Sequence, residues 1–396
     1  MKLTRLKVST LLICALNVLQ FFCACGYSSL IRGDQCELKN NQRGTCEDVR
    51  NCKYVMELMK RKRFNEISRC GFEGRAPIVC CPQDIPPMQT TTTKVPTATT
   101  IKVSATTKVS TTTKVPTTTK VPSTPLLSYP KSKKFLTALC KENGTANPFQ
   151  QNIIDGEPAG VGEFPFQVAI GYRSQDNKIE YKCGGSLIAD DIVLTAAHCA
   201  NRRDTTPVTI KLGRTSLVPN EYDYGDGEDI EIQRIVLHPR YSRSTRHNDI
   251  ALIKMKQPTK FSWSIETICL SSDDSDLPKN FTITGYGRND VDTKKTSDWL
   301  LRATVNLYQL QRCRELVSHG GKELVETQFC AVGYKGADAC QGDSGGPVSY
   351  RITGIPYLYG VISYGMACGG NIPGIYTKVN RFLEWIDDEM YKFEQN

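Results

Sequence analysis

The 396-residue chain has four histidines, three tryptophans and no Cys-x-x-Cys pair. Structural zinc sites need Cys and His ligands at short fixed spacings, so the cysteines are not read as a metal centre. Beyond the first 25 residues no apolar run approaches the length that crosses a bilayer, and no membrane partner is expected. Residues 85–139 carry lysines but no acidic residue, and residues 89–124 carry no aromatic side chain. Much of the formal net charge of +9 therefore belongs to that segment and to the basic N-terminus, not to a folded face. Nucleic acid is not expected as a partner on this ground. The dense run Lys60-Arg61-Lys62-Arg63 is read as a solvated helix face.

What is present divides the chain. Residues 1–25 start with Lys2, Arg5 and Lys7, continue with an apolar stretch and end in small residues, the pattern of a secretory signal. The mature protein is therefore expected to be soluble and extracellular. Of the 17 cysteines, Cys14, Cys23 and Cys25 fall in or at the end of that leader. The even remainder in an oxidising compartment implies disulfides throughout. Six of them, Cys36, Cys46, Cys52, Cys70, Cys80 and Cys81, crowd residues 36–81, a unit too small to fold on apolar burial alone. The spacing of Cys52, Val55, Met56 and Met59 predicts one short helix there, while the pairing of the six cysteines is left open. Residues 82–139 contain Thr-Lys-Val-Pro-type repeats that cannot offset their ordering entropy and are expected to form a disordered linker, suited to O-glycosylation.

From residue 153 to 396 the composition changes to short β-prone runs, among them FPFQVAIGY, VTIKLG, IEIQRIVL, DIALIKM, FTITGYG and LYGVISYG, separated by turn formers. This argues an all-β sandwich or barrel, closed by a C-terminal helix in which Phe382, Trp385 and Ile386 share a face. Three motifs in this region carry chemistry: TAAHC with His198, HNDIAL with Asp249 and GDSGGP with Ser344. A serine hydroxyl needs a base to take its proton, and that base needs a carboxylate to fix its tautomer. The glycines around Ser344 let the N–H groups of Gly342 and Ser344 converge on an oxyanion.

On these motifs residues 153–396 resemble the chymotrypsin-type serine proteases of the trypsin family, and residues 36–81 resemble the clip domain. The order of clip domain, linker and protease is that of the arthropod clip-domain serine proteases. The resemblance implies a chymotrypsin-like double antiparallel β-barrel with His198, Asp249 and Ser344 as the catalytic residues and Ser363 supporting the aspartate. It implies the disulfides Cys36–Cys80, Cys46–Cys70, Cys52–Cys81, Cys140–Cys269, Cys183–Cys199, Cys313–Cys330 and Cys340–Cys368, which together use every cysteine after the leader. Asp338 falls where trypsin-like enzymes place the charge of the specificity pocket, with Gly365 and Gly374 on its walls, so cleavage after Arg or Lys is implied. Ala339 stands where many trypsins have serine, which leans the preference toward Arg. Tyr286 and Tyr364 stand where tryptophan is usual and keep a large aromatic.

Glu221, Asp223, Asp226, Glu228 and Asp229 suggest a calcium loop, but Arg214 opposes a cation near its start, and no metal or other cofactor is expected. Asn143 and Asn280 begin N-glycosylation sequons. The sequence Ile153-Ile154-Asp155-Gly156 matches the start of an activated family member, implying that cleavage after Asn152 frees an Ile153 amine to pair with Asp343. An aspartate-floored pocket binds asparagine poorly, so the enzyme is not expected to activate itself. A non-basic activation residue resembles the snake and persephone group, whose members act upstream in extracellular cascades. The resemblance thus implies a secreted zymogen in haemolymph or perivitelline fluid, serving innate immunity (Toll or prophenoloxidase activation) or a developmental dorsoventral cascade. Its partners would be an upstream activating protease, a downstream clip-domain zymogen as substrate and a serpin inhibitor. A non-catalytic clip-domain adaptor is the alternative; a digestive trypsin is disfavoured because digestion needs neither clip domain nor stalk.

Overall fold

A computed structural model describes residues 30–60, 66–73, 76–83, 130–140, 157–202, 205–218, 227–272, 274, 277–288, 296–333, 339–352, 354–365 and 373–395. The leader, the Thr-rich repeats, the basic run 61–63 and the activation site fall outside the described residues.

The N-terminal unit is a four-stranded antiparallel sheet of β1 (Gln35–Glu37), β2 (Arg43–Asp48), β3 (Arg69–Glu73) and β4 (Ala76–Pro82), in the order β1-β2-β4-β3, with helix α1 (Lys53–Lys60) between β2 and β3. Strand β2 alternates outward and inward residues, placing Cys46 and Asp48 inside. The disulfides are Cys36–Cys80, Cys46–Cys70 and Cys52–Cys81, spanning 44, 24 and 29 residues. In the chain-entropy account each closure contributes about 3–4 kcal/mol, which a core built around Leu38, Val55, Leu58 and Ile78 needs. The α1 face differs in one respect from the sequence expectation. Cys52, Tyr54, Val55 and Leu58 point inward, while Met56 is 37% exposed. Helix α1 starts one residue after Cys52, so the staple sets the phase of the buried stripe and Met56 turns to solvent; the side chain of Met59 lies outside the described residues.

The larger unit opens with helix α2 (Lys133–Ala138) and continues through strands β5 (Glu157–Pro158), β6 (Gln167–Arg173), β7 (Ile179–Ala189), β8 (Ile192–Thr195), helix α3 (Ala197–Ala200), β9 (Pro207–Leu212), β10 (Glu228–Leu237) and β11 (Ala251–Met255). Strands β6–β11 close into a barrel in the order β10-β11-β8-β7-β6-β9. The second half holds β12 (Cys269–Leu270), β13 (Asn280–Gly285), β14 (Leu301–Leu307), helix α4 (Leu310–His319), β15 (Gln328–Gly333), β16 (Pro347–Ile352), β17 (Ile355–Tyr364), β18 (Gly374–Lys378) and helix α5 (Leu383–Gln395). Here β13, β14, β15, β18, β17 and β16 form a second closed ring, because β17 pairs with both β16 and β18. Closure removes the free strand edges that would otherwise template aggregation. Each apolar run singled out above contributes to a strand of one of these barrels. The two interiors differ in chemistry. The first is filled by aliphatic residues such as Ile170, Leu187, Ile192, Ile210 and Leu252. The second is built on Phe281, Phe329, Tyr350, Tyr359 and Tyr376, with Phe281 stacked 5.0 Å from Tyr359 and Phe329 stacked 5.2 Å from Tyr376.

The segment expected to be linker over 82–139 is not uniform, because its last ten residues fold onto the protease. Ser132 caps α2 by accepting from the Phe135 N–H at 3.1 Å. The N–H groups of Lys131 and Ser132 both donate to the Asp387 carboxylate of α5 at 2.8 Å, and the Ser132 hydroxyl donates to Glu394 at 2.9 Å. Phe135 is fully buried in the main core, and Cys140 is bridged to Cys269. A six-residue helix is marginal on its own; α5 and the first barrel hold this one.

Candidate active site

The catalytic candidates come from one short helix and two loops of the barrels. His198 lies on α3, directly after β8. Asp249 precedes β11 and is completely buried. Ser344 lies between β15 and β16, and its carbonyl accepts from the Gly184 N–H of β7 at 2.8 Å, tying the serine loop of the second barrel to the first.

His198 Nδ1 is 2.7 Å from Asp249 Oδ2, and the His198 backbone N–H donates to Asp249 Oδ1 at 2.9 Å. Ser363 Oγ donates to Asp249 Oδ2 at 2.5 Å, and Thr377 Oγ1 donates to the Asp249 carbonyl at 3.1 Å. Burial opposes ionisation of Asp249, but the adjacent His198 imidazole and the hydrogen bonds from His198 and Ser363 outweigh it and hold the carboxyl below its usual range. An ionised acceptor on Nδ1 fixes the tautomer that leaves Nε2 free to take a proton. His198 and Ser344 line one cavity of about 360 Å³, together with Ala339, Ser363, Gly365 and Gly374, and His198 Nε2 lies 3.7 Å from Cys199 Sγ. Asp338 lies outside the described residues.

Gly342 has φ +110°, a conformation open to glycine, and this turns the backbone just ahead of Ser344. Asp343 sits between Gly342 and Ser344. The residue is half-buried, and its carboxylate, turned inward, accepts from the Gly287 N–H at 2.7 Å and the Cys340 N–H at 2.8 Å. Burial pushes its pKa up to about 6 against the pull of those two donors. The carboxylate rests in a cradle made by Gly285 and Gly287. A Cβ at either position would come within 2.0–2.2 Å of an Asp343 oxygen. Sequence reasoning did not assign these two glycines; their place on either side of Tyr286 was the available signal. Tyr286 itself is buried, with its hydroxyl donating to the Arg214 carbonyl at 2.6 Å.

Beyond the clip unit, the structure pairs Cys183 with Cys199 and Cys313 with Cys330. Cys340 is disulfide-bonded, and Cys368 lies outside the described residues. Asn280 is exposed at the start of β13, while Asn143, Asn152 and Ile153 lie outside the described residues. Of the suggested calcium loop, Glu221, Asp223 and Asp226 also lie outside. Glu228 accepts from Thr259 and Asp229 pairs with Lys211 at 2.8 Å. Arg214 packs over Gly227 so closely that a Cβ there would be 2.0 Å from Nε.

The family model described as Trypsin matches residues 153–386, and the model described as the regulatory CLIP domain of proteinases matches residues 36–81. The chain is 35% identical over 275 residues to Serine protease Hayan of Drosophila melanogaster, covering 66% of this chain and 42% of that protein. It is 32% identical over 381 residues to CLIP domain-containing serine protease B9 of Anopheles gambiae, covering 89% of this chain and 91% of the relative. It is 34% identical over 252 residues to Phenoloxidase-activating factor 3 of Holotrichia diomphalia, covering 59% and 71% respectively.

Proposed function

The chain belongs to the trypsin family of serine proteases, carries a clip domain and is a serine endopeptidase, and from that premise we propose that it is a secreted zymogen acting upstream in an extracellular proteolytic cascade. In this reading Ser344 attacks the scissile carbonyl while His198 takes its proton, with Asp249 stabilising the imidazolium. The N–H groups of Gly342 and Ser344 receive the oxyanion, and His198 then returns the proton to the leaving amine. Asp338, with Ala339, Gly365 and Gly374 around it, selects Arg or Lys before the cut, with Arg favoured.

The observation that carries the zymogen reading is Asp343. Among the described residues its buried carboxylate meets two backbone N–H groups and no cation. An unpaired buried carboxylate is costly, and the ammonium released at Ile153 is the partner that relieves it. Pairing of the two would fix Gly342 and Ser344, the oxyanion donors on either side of Asp343. Because Asn152 precedes the cut, neither this enzyme nor another protease specific for basic residues serves as its activator. The upstream protease has a different primary specificity, and the downstream substrate is a clip-domain zymogen cut after a basic residue. A serpin is the fitting inhibitor class for such an enzyme, and haemolymph or perivitelline fluid the fitting compartment. The name of the Holotrichia relative supports a prophenoloxidase cascade ahead of a Toll or dorsoventral one.

The test is to incubate the secreted full-length chain with trypsin and sequence the new N-termini. Activity on arginine amides should stay at background, whereas Asn152→Arg should be cut before Ile153 and become active. Rapid wild-type activation at Ile153 by trypsin would overturn this reading.

A further inference from the structure

Two arginines line the catalytic cavity, one from each barrel. Arg246 belongs to the loop that leads into Asp249 and β11; Arg288 follows Gly287 at the end of β13. Both share the cavity with His198 and Ser344.

Each guanidinium is carried on a fixed piece of backbone. Arg246 adopts φ +63°, with its N–H donating to the Ser242 carbonyl at 2.8 Å and its carbonyl accepting from Gln328 Nε2 at 3.1 Å. The N–H of Arg288 donates to the Gln341 carbonyl at 3.1 Å, next to the oxyanion donor Gly342. Neither arginine is in an ion pair among the described residues. Arg246 makes one side-chain hydrogen bond, to the Tyr241 hydroxyl at 3.3 Å. The Nε of Arg288 is buried without a hydrogen-bond partner among the described residues. A third cation, Lys322, lies 4.3 Å from the ring centre of Tyr364, which also lines the cavity.

No carboxylate balances this charge at the described rim. The described lining residues include neither Asp nor Glu. Asp249 is buried behind His198, and the Asp343 carboxylate is turned into its glycine cradle. Asp338, in the reading above, is committed to the basic residue before the cut.

We propose that Arg246 and Arg288 make this protease select substrates with acidic side chains within a few residues of the scissile bond, around the basic residue that fills the pocket. The inference rests on the protease reading and narrows its substrate class to a basic residue embedded in an acidic stretch. Arg246 lies on the side of the barrel that supplies His198 and Arg288 on the side that supplies Ser344, so they act at different substrate positions. A guanidinium offers a planar fork that matches a carboxylate, and the enclosed cleft makes the pair stronger than on open surface.

The experiment uses the full-length chain cut after residue 152 and a set of fluorogenic decapeptides with one central Arg. Ala, Glu or Lys is placed in turn at the three positions on each side. Glu should raise kcat/KM over Ala by about 10-fold at one or more positions, mainly through KM, and Lys should lower it. The preference should shrink as salt rises from about 0.05 to 0.5 M. Arg246→Glu and Arg288→Glu should each reverse the Glu-to-Lys selectivity ratio, at two different sets of positions. A purely structural role would lower turnover without inverting that ratio. Cleavage of an arginine amide by the wild type, with equal kcat/KM on the Ala, Glu and Lys peptides, would overturn the inference alone, as would a Glu preference that survives both reversals. Failure to cleave the arginine amide at all would overturn the protease reading and this inference with it.

Discussion

Asp249 and Asp343 both turn carboxylates inward near Ser344, yet their surroundings push them in opposite directions. The first-barrel aspartate is surrounded by donors, His198 from both Nδ1 and its backbone N–H and Ser363 from its hydroxyl, and is held ionised. The second-barrel aspartate has two backbone N–H groups, and burial raises its pKa to about 6. The contrast separates what is already assembled from what waits. His198 and Asp249 are already paired in the structure, whereas the carboxylate beside Ser344 lacks a charge partner among the described residues. In the activation proposed above, the ammonium freed at Ile153 is the partner that this carboxylate lacks.

The contrast can be broken from the Asp249 side. Asp249→Asn should leave the fold intact but stabilise the wrong His198 tautomer, lowering kcat of the cut enzyme by about 10⁴-fold, the size known for the trypsin triad itself. Steady-state kinetics on an arginine amide measure this directly. Breaking it from the other side should act only after the cut. Asp343→Asn would leave the Ile153 ammonium buried and unpaired, a cost of roughly 3–5 kcal/mol. The cut variant should therefore remain zymogen-like, losing about 10²–10³-fold in kcat/KM. A cut Asp343→Asn enzyme with full activity would show that the ammonium does not act through this carboxylate.

A milder change sharpens the comparison. Ser363→Ala removes one donor from Asp249, and a hydrogen bond to a charged group contributes about 1.5–3 kcal/mol. Turnover should fall about 10-fold or somewhat more, and the acid limb of the pH–rate profile should move upward as the Asp249 carboxyl loses part of what holds it low.

The smallest effect is the most diagnostic. In the uncut chain the folded Asp343 carboxyl sits at about 6 against an ordinary 3.8. The folded state thus keeps a proton that the unfolded chain releases between roughly pH 4 and 6. The stability of the uncut chain falls as pH rises through that window, and the cost is complete above it, at most about 3 kcal/mol. Asp343→Asn in the uncut chain should accordingly be stabilising by about 1–2 kcal/mol at pH 7.5 and near neutral at pH 4, since the amide gives up one of the two backbone donors. Urea unfolding at both pH values reads this, and destabilisation at pH 7.5 would mean the carboxylate is already compensated.

Much of this was legible in the sequence because it is carried by residue identity at short range. The motifs around His198, Asp249 and Ser344 name the candidate reacting groups, and the alternation of short β-prone runs with turns points to an all-β sandwich or barrel, the resemblance alone implying two barrels. The α1 face was less legible, since the stripe over Val55 and Met56 has a phase set by the Cys52 bridge, a contact distant in sequence. The segment 130–139 reads as the tail of a Thr-rich linker, and nothing local says that Asp387 and Glu394, some 250 residues away, will hold it. Nothing local in the sequence singles out Arg246 and Arg288, because the cleft that both line is formed by segments of two barrels.

The sequence by itself determined the chemistry on offer: a candidate nucleophile, a candidate base, a carboxylate and the cysteines of the disulfides. Those are properties of side chains and need no partner to be recognised. Only the tertiary structure decided the state of each charge. Whether a carboxylate is ionised, protonated or waiting depends on the donors brought around it by segments far apart in the chain, and on the water that packing excludes.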